Sequence, residues 1–354
     1  MLLQTMWKDR LDILNLQETA ERIESLSGIG CGLMRFAVPD MQAAEALGRL
    51  AQMVSMPLIA DIHFDHTLAL RCMDFPVAKI RINPGNIRSG AGGNDNVRAV
   101  VEKAAEKGIA VRIGVNAGSL PLDLRRQAAQ GMGGTDIRAR ALVEAAEREL
   151  EIFDKLGIPN LLVSMKASGI ADTIIANRIF SARNDVPLHI GITEAGPLVE
   201  GIARSSAALS LLLSEGIGDT IRISLSDSME SELIAAKEIC GAAAEIAVIK
   251  GNAAVSKRLE QGGVSIISCP RCGRHSFDTH GFLARWLPRL YALDRKMRIA
   301  VMGCEVNGPE EARHADLGIT GTGKKAIIFR NGKAVKTVSI EDADEEFAKE
   351  LECN

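Results

Sequence analysis

Three cysteines stand out by type and spacing. Cys269–Pro270–Arg271–Cys272 places two thiols on one tight turn, and Cys304 follows 32 residues later. Gly273, Gly303, Gly308 and Pro309 flank them and suit a chain that wraps closely around a bound group. Three chemistries fit. A structural zinc site takes four Cys or His ligands, and His275, His280 or His314 could supply one. A dithiol redox pair needs only Cys269 and Cys272 and leaves Cys304 without a role. A 4Fe–4S cluster normally takes four thiolates, so here it needs one further donor. Spacing alone leaves all three open. The remaining cysteines make an odd, scattered total of seven, a poor disulfide framework. Cys31, Cys72 and Cys240 sit in apolar or helical contexts and read as small core residues, and Cys353 lies in the tail.

The second chemical signature is a set of polar residues at regular intervals. Apolar runs of strand length recur at Leu2–Met6, Leu33–Val38, Leu58–His63, Ala78–Asn83, Ala110–Val115, Asn160–Met165, Pro187–Thr193 and Asp219–Leu225. Amphipathic stretches lie between them, for example Gln17–Leu26, Met41–Met53, Val97–Lys107 and Ile137–Leu156, and Ser228–Cys240 follows the last. Strand–helix alternation of this kind predicts βαβ units and a parallel sheet. Eight units over residues 1–242 predict a (β/α)8 TIM-type barrel; the competing doubly wound sheet lacks a GxGxxG after its first strand. Nearly every run ends on polar residues, which a barrel gathers at one open face. They include Arg35, Asp61, His63, Arg81, Arg112, Asn116, Lys166, Thr193, Glu194, Arg222 and Ser224. Five cations (Arg35, Arg81, Arg112, Lys166 and Arg222) among few acids predict a mouth for a small polyanion, because guanidinium forks match phosphate oxygens.

Residues 243–262 read as a helical or loose connection, and 263–354 as a small α+β domain. Within it Val264–Ser268 leads into Cys269, Arg298–Met302 leads into Cys304, and Asn331–Gly332 marks a hairpin. Ile340–Leu351 reads as an acidic helix. The 354-residue chain is 47% hydrophobic and 25% charged, with 3% aromatic residues and a net charge of −3. So few aromatics argue against a stacking surface for single-stranded nucleic acid, and the charge gives no reason to expect nucleic acid or an anionic membrane. No apolar run of membrane-spanning length and no signal peptide is visible, so a soluble cytoplasmic protein is expected.

The cysteine motifs, SCPRCGR at Ser268–Arg274 and VMGCEVNGPEE at Val301–Glu311, resemble the 4-hydroxy-3-methylbut-2-en-1-yl diphosphate synthase family. The resemblance extends through RFAVPD at Arg35, ADIHFD at Ala60, RINPGN at Arg81, RIGVNAGSL at Arg112, KAS at Lys166, LHIGITEAG at Leu188 and GIGDTIRISL at Gly216. It implies an oxidoreductase of the methylerythritol phosphate route to isoprenoids. Such an enzyme reductively opens 2-C-methyl-D-erythritol 2,4-cyclodiphosphate to 4-hydroxy-3-methylbut-2-enyl diphosphate and water. It implies a 4Fe–4S cluster on Cys269, Cys272, Cys304 and Glu311, whose carboxylate is a harder and more labile ligand than thiolate. Glu310 stands where the family usually has glycine. The resemblance further implies that Arg81, Arg112, Asn116, Lys166, Arg222 and Ser224 clamp the diphosphate. Arg35, Asp61 and His63 complete the mouth, and Asn307 contacts substrate from the cluster side. Glu194 is the implied proton donor, a carboxyl held protonated by burial. The implied partners are reduced ferredoxin or flavodoxin, since no flavin or nicotinamide motif is present, and a second copy in a homodimer. Two features depart from the family. The chain starts inside the expected first strand, which predicts a short strand and a less covered barrel bottom, and Trp7–Leu16 replaces a Thr/Asp-rich loop. The alternative is a non-redox barrel enzyme on a sugar phosphate, with a zinc-stapled C-terminal domain and Lys166 as Schiff-base nucleophile.

Overall fold

The structure is a computed structural model that describes residues 1–88, 92–130, 134–158, 160–293, 295–306 and 313–352. Two compact units divide at Gln261 and Gly262. In the first, eight strands run β1 (Leu2–Met6), β2 (Cys31–Ala37), β3 (Leu58–Ile62), β4 (Lys79–Ile82), β5 (Ala110–Asn116), β6 (Leu161–Lys166), β7 (His189–Ile190) and β8 (Thr220–Ile221). All pair in parallel in the order β6-β5-β4-β3-β2-β1-β8-β7, and a bridge between Val163 and Leu188 brings β7 back to β6. The result is a closed (β/α)8 barrel with helices outside.

Strand periodicity explains how one sequence serves both barrel faces. In β4, Ile80 and Ile82 are wholly buried, and the alternate residues Lys79 and Arg81 share the opposite face. Register carries this face across the sheet: Asp61 pairs with Arg81, and Arg81 with Arg112. One strip of the barrel interior is therefore charged. β1 spans five residues and still pairs with both neighbours, although its ladder to β8 holds only Leu2 with Thr220 and Leu3 with Ile221.

The last two barrel strands differ from expectation. The runs 187–193 and 219–225 form ladders of only two residues, then bend and meet again at a bridge between Gly196 and Leu225. Residues 243–262 are also not a separate connection. The helix Met229–Ile249 continues through their first part and Ala253–Leu259 follows, both within the first unit, because Ala243, Ala244, Ala247 and Leu259 are buried.

The second unit carries β9 (Val264–Ser268), β10 (Met297–Met302), β11 (Leu317–Thr322), β12 (Lys325–Arg330) and β13 (Lys333–Ser339) in the order β13-β12-β11-β10-β9. The first three are parallel, and the last two return antiparallel through Asn331 and Gly332, both at positive φ (46° and 75°) as the Asn–Gly signal predicts. Sequence periodicity missed β11, whose Gly318 and Gly321 interrupt the apolar pattern, and the closing helix begins at Ala343 rather than Ile340. Phe282, Trp286 and Phe347 form the centre of this unit's core, with edge-on rings 5.0 and 5.1 Å from Phe347.

Candidate active site

The cations expected at the rim lie within the barrel. Arg112 is 1% exposed and Arg81 5%, and Lys166 is also buried, with Arg35 and Arg222 partly so. Arg81 fits because β5 carries Gly114, where a Cβ would fall 2.6 Å from Arg81 Nε. Two acids face the five cations. Asp61 accepts from Arg81 Nη1 at 3.0 Å and lies 3.7 Å from Arg35 Nε and 3.5 Å from His63 Nε2. Glu232, not anticipated from the sequence, accepts from Arg222 Nη2 at 3.2 Å and from Thr5 Oγ1 at 2.6 Å. Among the described residues Arg112 has no hydrogen bond or salt bridge to an acid; its Nη1 donates to Gln4 Oε1 at 3.1 Å. The Nε groups of Arg35, Arg81 and Arg112 and Nε2 of Gln4 are buried without a hydrogen-bond partner among the described residues. Unsatisfied buried donors are costly, and here all of them are N–H groups on charged or amide side chains at one end of a barrel.

The charges perturb one another as such crowding requires. Burial lowers Arg35 to about 10, against the opposing pull of Asp61. Burial, and then the neighbouring arginines, hold Arg112 and Lys166 well below their ordinary values. For Asp61 burial acts upward, but Arg35, His63 and Arg81 together push its carboxyl well below the usual range, so it stays ionised. Replacing Asp61 with asparagine leaves buried guanidinium groups without their counter-charge. Asp61→Asn is expected to destabilise the protein by about 3 kcal/mol, read by urea unfolding.

Lys166 Nζ donates to His189 Nε2 at 3.0 Å, and His189 Nδ1 lies 2.8 Å from Thr220 Oγ1. Burial and the Lys166 charge keep this imidazole neutral. Strand alternation in the sequence points His189 away from the Glu194 end, and there it contacts a site cation. Asn116, at the end of β5, and Ser224, three residues past β8, are half-buried, and Asn116 pairs in register with Lys166. Glu194 requires a correction. Expected to be buried, it is exposed. It adopts a left-handed backbone, φ 51°, just after β7, a conformation that costs energy in a non-glycine residue.

In the second unit Cys269 follows β9 and Cys304 follows β10, two strands paired in register from Val264–Met297 to Ser268–Val301. The backbone that carries them is tied down. The Cys269 carbonyl accepts from Thr279 Oγ1 at 3.5 Å, Cys272 from His275 N at 3.1 Å, Gly303 from Ser276 N at 2.7 Å, and Cys304 from Thr320 Oγ1 at 2.9 Å. A Cβ at Gly303 would lie 3.3 Å from His275 Cβ and 3.7 Å from Cys269 Sγ, so glycine lets β10 close on the thiol. Cys304 is buried, Cys269 half-buried and Cys272 exposed, and no described cysteine is in a disulfide.

Among the described residues no three His, Cys, Asp or Glu side chains converge as they would on a single ion. A 4Fe–4S cluster takes its protein thiolates at separate corners, one to each iron. His275 is also spoken for, with Nδ1 2.7 Å from the Cys272 carbonyl and Nε2 3.1 Å from Arg271 Nη2. Burial raises Cys31 to about 11 and Cys72 and Cys240 to about 12, leaving them as neutral core thiols rather than ligands. Asn307, Glu310 and Glu311 lie outside the described residues.

Fold and site define a TIM-barrel protein with a cation-lined interior and an appended unit that carries three cysteines. Family comparison is more specific. The GcpE TIM-barrel domain matches residues 1–237, and the GcpE protein C-terminal domain matches residues 265–353. The chain belongs to the GcpE family. It is 50% identical over 349 residues to the 4-hydroxy-3-methylbut-2-en-1-yl diphosphate synthase (flavodoxin) of Treponema pallidum, covering 97% of this chain and 82% of that protein. The protein of that name from Treponema denticola is 47% identical over 98% of this chain and 88% of its own length, and that of Thermodesulfovibrio yellowstonii 43% over 93% and 87%.

Proposed function

We propose that this chain is an oxidoreductase that reductively opens 2-C-methyl-D-erythritol 2,4-cyclodiphosphate to 4-hydroxy-3-methylbut-2-enyl diphosphate and water, with reduced flavodoxin as electron donor. The observation that carries the reading is the charged barrel interior of a GcpE-family chain. Among the described residues the buried Nε donors of Arg35, Arg81 and Arg112 have no partners, and a cyclic diphosphate offers acceptor oxygens for them. Lys166 and Asn116 add donors at the ends of β6 and β5, and Arg222 and Ser224 add them just past β8. Asp61 and His63 orient Arg81.

Cys269, Cys272 and Cys304 would hold a 4Fe–4S cluster, with Glu311 as the fourth ligand by its place in the motif. Soft thiolates on anchored backbone suit such a group. When bound, the cluster supplies the two electrons of the reaction singly. Glu194 is the proposed proton donor to the departing hydroxyl; its left-handed backbone at a barrel-strand end is the kind of strain found at functional sites. Asn307 is proposed to meet substrate, and the active assembly to be a homodimer. Among the described residues no helix is long and apolar enough to cross a membrane.

The test is the visible spectrum with iron and sulfide analysis of anaerobically purified protein, wild type against Glu311→Ala. The wild type is expected to be brown with about four irons per chain. The variant should keep its barrel fold but lose the wild-type spectrum and most of its turnover with dithionite and a mediator. A colourless wild-type protein containing zinc would sink the reading.

A further inference from the structure

The seam between β1 and β8 is a thin part of the barrel wall, where the backbone ladder holds only two residue pairs. Side chains from four elements bridge this seam on one carboxylate. Glu232, in the first turn of Met229–Ile249, is 1% exposed. Its Oε2 accepts from Thr5 Oγ1 at 2.6 Å and Arg222 Nε at 3.4 Å. Its Oε1 accepts from Arg222 Nη2 at 3.2 Å, Leu225 N at 3.1 Å and Lys8 Nζ at 3.0 Å. Lys8 follows β1 in the segment 7–16. Its ammonium also donates to the Leu225 carbonyl at 2.9 Å and to the Asp227 carbonyl, so its three protons all go to the chain after β8 or to Glu232.

The charges give this arrangement a functional meaning. A bidentate Arg222–Glu232 pair alone is neutral and would contribute little attraction for an anion in the barrel. With Lys8 on the same carboxylate the group carries one net positive charge. Glu232 holds the guanidinium in a fixed orientation, and Lys8 offsets the charge that doing so costs. Lys8 keeps 31% of its side chain exposed, so its charge is retained at modest desolvation cost.

We infer that Lys8 is a positioning residue for diphosphate binding: by sharing Glu232 with Arg222 it keeps the β8 side of the barrel mouth cationic while the carboxylate orients Arg222. This rests on the diphosphate reading of the barrel and adds a residue to it from the β1 side.

The probe is inorganic pyrophosphate, titrated by calorimetry into anaerobically purified full-length protein at low and moderate salt, with thermal unfolding run alongside. Lys8→Met is expected to weaken binding about tenfold and make it less salt-dependent. Lys8→Arg, which keeps the charge, should stay within about twofold of wild type. In a Glu232→Gln background the Lys8→Met effect should change, since the two side chains act through one contact. Wild-type affinity and salt dependence in Lys8→Met, with or without a lower melting temperature, would make Lys8 a structural staple and overturn the inference. An equal loss in Lys8→Arg and Lys8→Met would also overturn it, by showing that shape and not charge matters. A wild-type protein that binds no pyrophosphate at either salt would instead overturn the diphosphate reading, and this inference with it.

Discussion

Arg112→Met is expected to weaken binding of inorganic pyrophosphate by at least about a hundredfold while leaving the melting temperature unchanged or higher. The two halves of this result have one cause. Among the described residues Arg112, 1% exposed, donates only to the neutral Gln4 side chain and has a buried Nε without a partner. Its neighbours of like charge include Arg35 and Arg81, which together with burial hold it well below its ordinary pKa. In the chain alone this guanidinium is therefore a stability cost, and an apolar side chain of similar length removes that cost. Bound diphosphate would reverse the sign, because its charged oxygens would accept from these buried N–H groups. Calorimetry and differential scanning calorimetry on the same preparation read both halves. A variant that melts several degrees lower and still binds pyrophosphate would show that Arg112 serves the fold rather than the ligand.

Cys304→Ser carries the largest expected effect on turnover. The iron and sulfide content of anaerobically purified protein should fall to a small fraction of wild type, and turnover with dithionite and a mediator by more than about a hundredfold. A hydroxyl is a poor substitute for thiolate toward iron in a cluster. The change should not unfold the unit: the Cys304 carbonyl keeps its bond from Thr320, and Ser is slightly smaller than Cys. Cys240→Ser is the control. That thiol is buried in the helix Met229–Ile249 and pushed up to about 12, so iron content should not change. If Cys304→Ser kept its iron and Cys240→Ser lost it, the ligand set proposed here would be wrong.

Much of this site was legible along the chain because the relevant patterns are local. Alternation within a strand exposes Arg81 between Ile80 and Ile82, and Arg112 between Val111 and Ile113, whatever the rest of the fold does. The C-P-R-C spacing puts Cys269 and Cys272 on one turn for the same reason. The boundaries that failed lay where local pattern competes with packing. Gly318 and Gly321 hid β11, and residues 243–262, read as a helical or loose connection, begin inside the helix Met229–Ile249, which burial holds against the first unit.

The sequence by itself determined the barrel's strand periodicity, the five cations and the cysteine motifs, since each follows from residues a few positions apart. Only the tertiary structure decided what those cations meet. The pairing of Asp61 with Arg81 and of Arg81 with Arg112 depends on strand register, and register is set when the sheet closes. Glu232 reaches Thr5 across 227 residues of chain, a contact that no window of sequence contains. Glu194 shows the reverse case: its position in the motif suggested burial, and the bend after β7 turned it to solvent. Charge type is written residue by residue. Whether a charge is paired, buried or left for a ligand is settled by which distant strand or helix packs against it, because an electrostatic interaction depends on separation in space and on how much water remains between the groups.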